Sequence, residues 1–558
     1  VVITWICGSE TEGMSSWRIV VMMNTPMMDT AMHTSAMKDL LFRLSVARRF
    51  ILLLEGCATG GVWQKGARHA AQRWVAVPTA PRAPSHARLG EQTRPSSVTA
   101  SHNGRVPASP SPDDAPRQER ARRTVDREIL VLAIPSLGAL VAEPLFLLAD
   151  SAFIARVSTT SLAGLGLAST VLTTIVGLAI FLAYSTTAAV ARSFGAGRIR
   201  EAISRGIDAC WVALAVGAAA ALLLLVAGGP LLAAFGPSPE VLAEALIYLR
   251  ISALGLPAML AVQAATGLVR GLQDAKLPLV VAVGGALVNI PLNWVLIFGL
   301  DLGIAGSAIG TVLSQWGMAA VLLGVIIRRA LRETLSLRPH LTNLVAVGRD
   351  AVPMFVRTLG LRVVVVTATV VATRLGDVQL ASHQLATTVF TVLSLALDSL
   401  AIAGQALTGR YLGASDPGTV RAVTRRLMTW GVGGGAVVAV LLLAASYVVP
   451  ELFTPDVAVQ ENLRAALWIL VITQPIAGYV FVLDGVLMGA GDAPYLAKVG
   501  SLIAVAIMPG AVLVAWWAPA GPLGLALLWL ACNFLFMVLR AISLGLRVRT
   551  DDWMRLGG

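Results

Sequence analysis

From Val125 to its end the chain is a series of about twelve apolar runs, each long enough to cross a bilayer and separated by short polar segments. A spanning helix needs roughly 20 mostly apolar residues, and at membrane depth the backbone must satisfy its own polar groups, which a helix does within one segment. The class is therefore an all-α polytopic membrane protein. Composition agrees: 56% of residues are hydrophobic and only 13% are charged, with a mean hydropathy of +0.76, too apolar for a soluble protein of this length.

A self-comparison orders the runs. Pro135 and Pro353 lie 218 residues apart, and the same offset joins Gly195 to Gly413, Pro257 to Pro475, Gly267 to Gly485, Asp274 to Asp492, Pro291 to Pro509, Gly303 to Gly521 and Gly306 to Gly524. One register held over this length, with no insertion, marks two copies of one unit, residues 126–340 and 346–558. Each copy holds six candidate helices. An even number returns the chain to its starting side, so the copies run parallel around an axis along the membrane normal.

Basic residues alternate with that pattern. Arg192, Arg198, Arg200 and Arg205 follow the second run, Arg270 and Lys276 the fourth, and Arg328, Arg329 and Arg332 the sixth. The second copy repeats this with Arg410, Arg421, Arg425 and Arg426, then Lys498, then Arg540, Arg547 and Arg549, while the alternate loops carry almost none. By the positive-inside rule the Arg-rich loops and both ends of the core are expected in the cytoplasm. The net charge of +12 is thereby loop charge, not a nucleic-acid surface. The four cysteines show no metal-ligand spacing, and neither a metal nor a cofactor is expected.

Residues 1–125 differ from the rest. They become rich in Pro, Ser and Arg between Pro78 and Arg123, a composition that cannot bury a core, and are expected to form a disordered extension outside the functional unit.

Ionisable and amide side chains inside apolar runs are the candidate site, because each is costly at membrane depth and tends to mark an ion or substrate path. The first run, Ile134 to Val157, holds Glu143 and Asp150 seven residues apart, two turns, on nearly one face. The fifth run places Asn289 and Asn293 one turn apart with Pro291 between them, so that two amides and two carboxylates could line one polar cavity, with Gln315 from the sixth run. In the second copy Arg357 and Arg362 stand in the seventh run, His383, Gln384 and Asp398 in the eighth, and Asp484 in the tenth. Arg362 and Asp398 are candidates to pair, as a packing lock. His383 lies near the end of its run, where a solvated or hydrogen-bonded imidazole is expected. Asp484 is the better C-lobe candidate for the cavity.

Four separated stretches, LADSAFIAR, ALVNIPLNWVLIFGLDLGIAGSAIGTVLSQ, LASHQLATTVFTVLSLALDSLAIAGQALTGRYLG and LDGVLMGAGDAPYLA, resemble the multidrug and toxic compound extrusion family, in its DinF-like branch. The resemblance covers residues 126–550. It implies a monomeric, cation-coupled antiporter of the plasma membrane, two parallel six-helix repeats forming an N-lobe and a C-lobe around a central cavity, exporting small organic cations, drugs or toxic metabolites by alternating access. Asp150 falls on the family's first-helix aspartate, whose protonation is linked to bending of that helix, with Glu143 as an accessory. Asn289 matches a family asparagine. Many members have Asp where this chain has Asn293, a departure that removes one carboxylate from the N-lobe cavity and argues against a two-carboxylate coupling site; sodium-coupled NorM-like members use an acidic residue in the seventh helix where this chain has arginines, which argues against a C-lobe sodium site at Asp484. Two other classes fit less well. GAGD at Gly489 to Asp492 resembles an intramembrane protease motif but lacks a Tyr-Asp partner, and a lipid-linked sugar flippase would be expected to carry helices beyond twelve.

Overall fold

The computed structural model describes residues 2–3, 21–22, 114–339 and 341–557. In the N-terminal unit Val2–Ile3 pairs antiparallel with Val21–Met22; the expected disorder of the extension otherwise falls, up to residue 113, outside the described residues. From Asp114 the chain is helical, so the first helix of the core begins ahead of the expected boundary at 126.

Eleven described helices are long and apolar enough to span, and a bent pair makes a twelfth. In chain order they are α1 (Arg123–Ile154), α2 (Thr159–Gly195), α3 (Ile199–Ala233), α4 (Pro239–Ala253 and Leu256–Gly271, bent by 49°), α5 (Lys276–Gly299), α6 (Gly303–Arg332), α7 (Val347–Leu375), α8 (Asp377–Gly413), α9 (Pro417–Ala445), α10 (Val457–Gly489), α11 (Ala493–Trp517) and α12 (Pro522–Arg549). Adding 218 to the ends of α2 returns those of α8, and adding it to the ends of α4 returns those of α10. The repeat inferred from scattered Pro and Gly is thus a repeat of helix boundaries.

It extends to the turns. After α2 the Arg198 N–H reaches back to the Ser193 carbonyl, and after α8 the Asp416 N–H reaches the Tyr411 carbonyl; Asp274 to Val269 and Asp492 to Leu487 close α4 and α10 in the same way. Such a cap puts one residue in the left-handed region. That residue is Gly197 (φ 75°) after α2 but Ser415 (φ 57°) after α8, and Gln273 (φ 68°) after α4 but Gly491 (φ 75°) after α10. Backbone geometry has outlasted residue identity at these positions.

The first span starts at Arg123 and stops at Ile154, not at Ile134 and Val157. Its early turns carry charge because they pack on the other lobe: Ile129, Leu132 and Ala133 are buried in the C-lobe core with Val423, Leu427 and Leu487. It ends where Ser158 caps α2, accepting from the Ser161 N–H at 2.9 Å. Outward-facing side chains such as Val226, Val440 and Trp517 stay exposed, as a lipid-facing belt requires.

Close contacts at glycine hold the lobes together. A Cβ on Gly195 would fall 1.8 Å from the Arg410 carbonyl oxygen, and one on Gly413 would fall 2.0 Å from that of Arg192. Arg192 and Arg410 are themselves repeat partners, so α2 and α8 meet reciprocally around a pseudo-two-fold axis. Small residues are what let membrane helices approach this closely.

Candidate functional site

Asp150 is 2% exposed, and every hydrogen bond it accepts comes from a neutral donor. The Asn293 amide donates to Oδ1 at 2.5 Å, the Ser307 hydroxyl donates to the same oxygen at 2.8 Å, and the Tyr248 hydroxyl donates to Oδ2 at 3.2 Å. Asn289 and Asn293 bond each other, at 3.3 and 3.1 Å, which fixes the amide that meets Asp150. The knot joins α1, α4, α5 and α6.

Local sequence explains why these groups converge. Asn289 and Asn293 are one turn apart and therefore adjacent on α5. Immediately beyond them α5 widens into a π-helical turn, Val295–Gly299, and Gly310 of α6 leaves room for the Asn293 carbonyl, which a Cβ there would meet at 1.9 Å. Single π turns are frequent at functional sites. A carboxylate held only by neutral donors is adjustable: protonation leaves one oxygen unable to accept all its present bonds, loosening α1 from α5 and α6 or from α4.

Glu143 does not join this knot. It faces a separate cavity in the N-lobe, with about 1030 Å³ of empty space including its opening, together with Gln263, Thr266, Arg270 and Gln315 and apolar walls from Phe146, Met259 and Met318. The expected single polar chamber is thus two. Seven residues of α1 separate them by about 10 Å at 1.5 Å per residue, too far for the two carboxylates to share a ligand set. Asn289 and Asn293, 1% and 0% exposed, belong to the knot and do not line the cavity, whereas Gln315 does.

In the C-lobe the observed lock is not the one expected between Arg362 and Asp398. Asp484 accepts from Arg357 at 2.5 Å and also from Arg540, with all three side chains buried. Arg362 instead lies against Gly177 of α2. Asp484 is therefore a neutralised packing element, and Asp398 stands half-buried nearby, within electrostatic reach of Arg357, Arg540 and Arg270. Arg270 and Arg540, read from sequence as loop charges, are both buried within α4 and α12. Their positions in the last turns of long apolar runs made them look like the loop arginines that follow.

His383 is 4% exposed rather than solvated. Its ring packs on Trp529 with centroids 5.6 Å apart, and Nε2 lies 3.4 Å from the Thr369 hydroxyl. Gln384, one residue on, is exposed and touches neither site.

The Arg-rich end is clamped shut between lobes. Asp126 of α1 accepts from Arg426 at 2.5 and 2.7 Å and from the Trp430 indole at 2.8 Å, both on α9. Glu128 accepts from Tyr411 at 2.6 Å. In the other direction Arg192 donates to the carbonyls of Ala490, Arg555 and Gly557 at 2.8 to 2.9 Å, strapping the segment after α12 across α2. None of these partners was legible as a pair, because each joins segments hundreds of residues apart.

A family model described as MatE matches residues 135–295 and again 353–517, two matches whose starts are separated by the repeat offset. Protein DETOXIFICATION 43 of Arabidopsis thaliana is 29% identical over 502 residues, covering 78% of this chain and 93% of that protein. DNA damage-inducible protein F of Escherichia coli (strain K12) is 28% identical over 431 residues, covering 75% and 91%. The crystal structure of the Vibrio cholerae MATE transporter VcmN in the bent form superposes with a TM-score of 0.70 at 21% identity, over 78% of this chain and 99% of that one. With the twofold helical repeat and the matched model spanning both lobes, this chain belongs to the MatE family of membrane transporters.

Proposed function

We propose that the chain is a proton-coupled antiporter of the plasma membrane that exports small organic cations and drugs, with Asp150 as the coupling carboxylate. The observation that carries this reading is the contrast between two buried aspartates. Asp484 is neutralised by two arginines, while Asp150 has only neutral donors around it and can exchange its charge with a proton or with a cationic substrate. Relatives named for multidrug resistance, such as PmpM of Pseudomonas aeruginosa at 26% identity, support export as the direction of transport.

The positive-inside rule assigns the clamped end to the cytoplasm. Protonation of Asp150 from the outside loosens α1 from α5 and α6, and because α1 also carries Asp126 and Glu128, a change along its length reaches the clamp. A ligand or proton that favours one arrangement then shifts the balance between the two. Each chain holds a full knot and cavity, which supports a monomer as the working unit.

The test is counterflow of a fluorescent organic cation in proteoliposomes under an imposed pH or sodium gradient. Wild type should respond to the pH gradient, and Asp150→Asn should abolish that response while melting at nearly the wild-type temperature. Transport driven by sodium alone, or undiminished proton-driven transport by the variant, would overturn the reading.

A further inference from the structure

At the Arg-rich end, α1 and the start of α5 leave an open groove beside the clamp. The two helices touch further along α1, where a Cβ on Gly138 would fall 2.7 Å from Leu279 Cδ1. Before that contact the groove is lined by Arg123, Arg127 and Lys276 together with the apolar side chains of Val131 and Ile134. Spacing on α1 orders these groups. Arg123, Arg127, Val131 and Ile134 follow one another at intervals of three or four residues, which makes them one stripe of the helix. Arg127 and Ile134 stand about 10 Å apart along it at 1.5 Å per residue, so the stripe is basic at the helix start and apolar beyond. Val131 and Ile134 are 47% and 63% exposed.

The protein does not neutralise this basic cluster itself. Arg127 and Lys276 are exposed, and neither side chain makes an ion pair or hydrogen bond among the described residues. The acid bordering the groove, Asp126, is engaged by Nε and Nη2 of Arg426 at 2.5 and 2.7 Å. Asp274, two residues before Lys276, accepts instead from the backbone N–H groups of Lys276 and Leu277 and so caps α5. Nor is the cluster a charge that the repeat distributes to both lobes. The positions equivalent to Arg123, Arg127 and Lys276 hold Leu341, Val345 and Pro494.

The geometry points to a binding site for one anionic phospholipid, with its phosphate among Arg127, Lys276 and Arg123 and an acyl chain along Val131 and Ile134. A guanidinium can donate two parallel hydrogen bonds to phosphate oxygens, and a lysine on the facing helix adds a compact positive charge. Basic pockets between spanning helices recognise such headgroups. A soluble anion would meet the charges and leave the exposed apolar stripe uncovered; a lipid covers both. Binding of this kind needs neither export nor proton coupling.

Native mass spectrometry of the purified full chain tests the site. Wild type should bind its first dioleoyl phosphatidylglycerol more tightly than dioleoyl phosphatidylcholine, which has the same chains and no net charge. Each basic residue beside an anionic lipid contributes about fivefold, so replacing two, Arg127→Gln with Lys276→Gln, should weaken the first phosphatidylglycerol about twenty-five-fold and phosphatidylcholine far less. Arg127→Lys should keep most of the preference. Arg328→Gln with Lys498→Gln removes the same charge from exposed positions at the same end and should keep all of it. Thermal melting checks that each variant folds. Equal affinity of wild type for the two lipids, an unchanged preference without Arg127 and Lys276, or an equal loss in the Arg328 and Lys498 variant would overturn the site. Excess glycerol phosphate, which has the charge without the chains, should not displace the lipid; displacement would reassign the groove to a soluble anion. Asp150→Asn should bind lipid as wild type does, so the lipid site and the coupling role of Asp150 fail separately.

Discussion

Replacing Asp126 by Asn should open the Arg-rich end. Asp126 accepts three hydrogen bonds from α9, two of them from the guanidinium of Arg426, and Asn keeps one oxygen while turning an amide donor toward a cation. Fully buried, the loss would be several kcal/mol, but the Asp126 and Arg426 side chains are 21% and 35% exposed, and solvent screens such a pair. An effect of about 1–2 kcal/mol is then expected. Where opening at this end separates Asp126 from Arg426, the closed-to-open ratio should fall by roughly five- to thirtyfold. Spin labels at Lys276 and Lys498, exposed residues at this end of the two lobes, would read it by pulsed dipolar spectroscopy in a background lacking Cys7 and Cys57. The buried Cys210 and Cys532 can stay. A long-distance population should grow in the variant. An unchanged distance distribution, in protein that melts normally, would refute the clamp as a conformational element.

Three further outcomes follow from the same contacts. Asp484→Asn strands Arg357 and Arg540, whose side chains are 10% and 8% exposed, and should cost about 3–5 kcal/mol, seen as a lower melting temperature and yield; wild-type melting would contradict the packing role. Gly413→Val drives side-chain atoms into the Arg192 carbonyl and should lengthen the same spin-label distance, whereas Gly433→Ala, with open space around it, should be silent. Arg192→Ala removes three bonds to Ala490 and the segment after α12, so trypsin should cut after Arg555 severalfold faster, and equal cleavage rates would show that the strap is held by other contacts.

Fold class and repeat were legible because both rest on periodic signals, apolar runs of membrane length and a register of Pro and Gly that survives divergence. The link between Asp150 and Asn293 was half legible. A spacing of four put Asn289 and Asn293 on one face, but nothing local distinguished Tyr248 or Ser307 from any polar residue tolerated in a membrane helix. That Glu143 faces another chamber follows from α2, α4, α5 and α6 leaving a gap at its level, which spacing along α1 alone cannot reveal. The arginines were misread for a physical reason too. Arg270 and Arg540 sit where an apolar run meets its loop, and only tertiary packing decides whether such a side chain reaches water or folds back into the lobe.

The reciprocal glycine contact between α2 and α8 is the kind of surface a homodimer uses, one patch meeting its own copy across a two-fold axis. Taken alone it would let two N-lobes, or two C-lobes, associate as readily as one of each. The clamp breaks that degeneracy, for its repeat counterpart is missing: the positions equivalent to Asp126 and Arg426 hold Leu344 and Asp208. The glycine seam is thus a generic hinge plate and the Asp126–Arg426 clamp the key that tells the halves apart. Half-chains divided at residue 340 and produced together should assemble as mixed pairs, and Asp126→Asn should blur that choice.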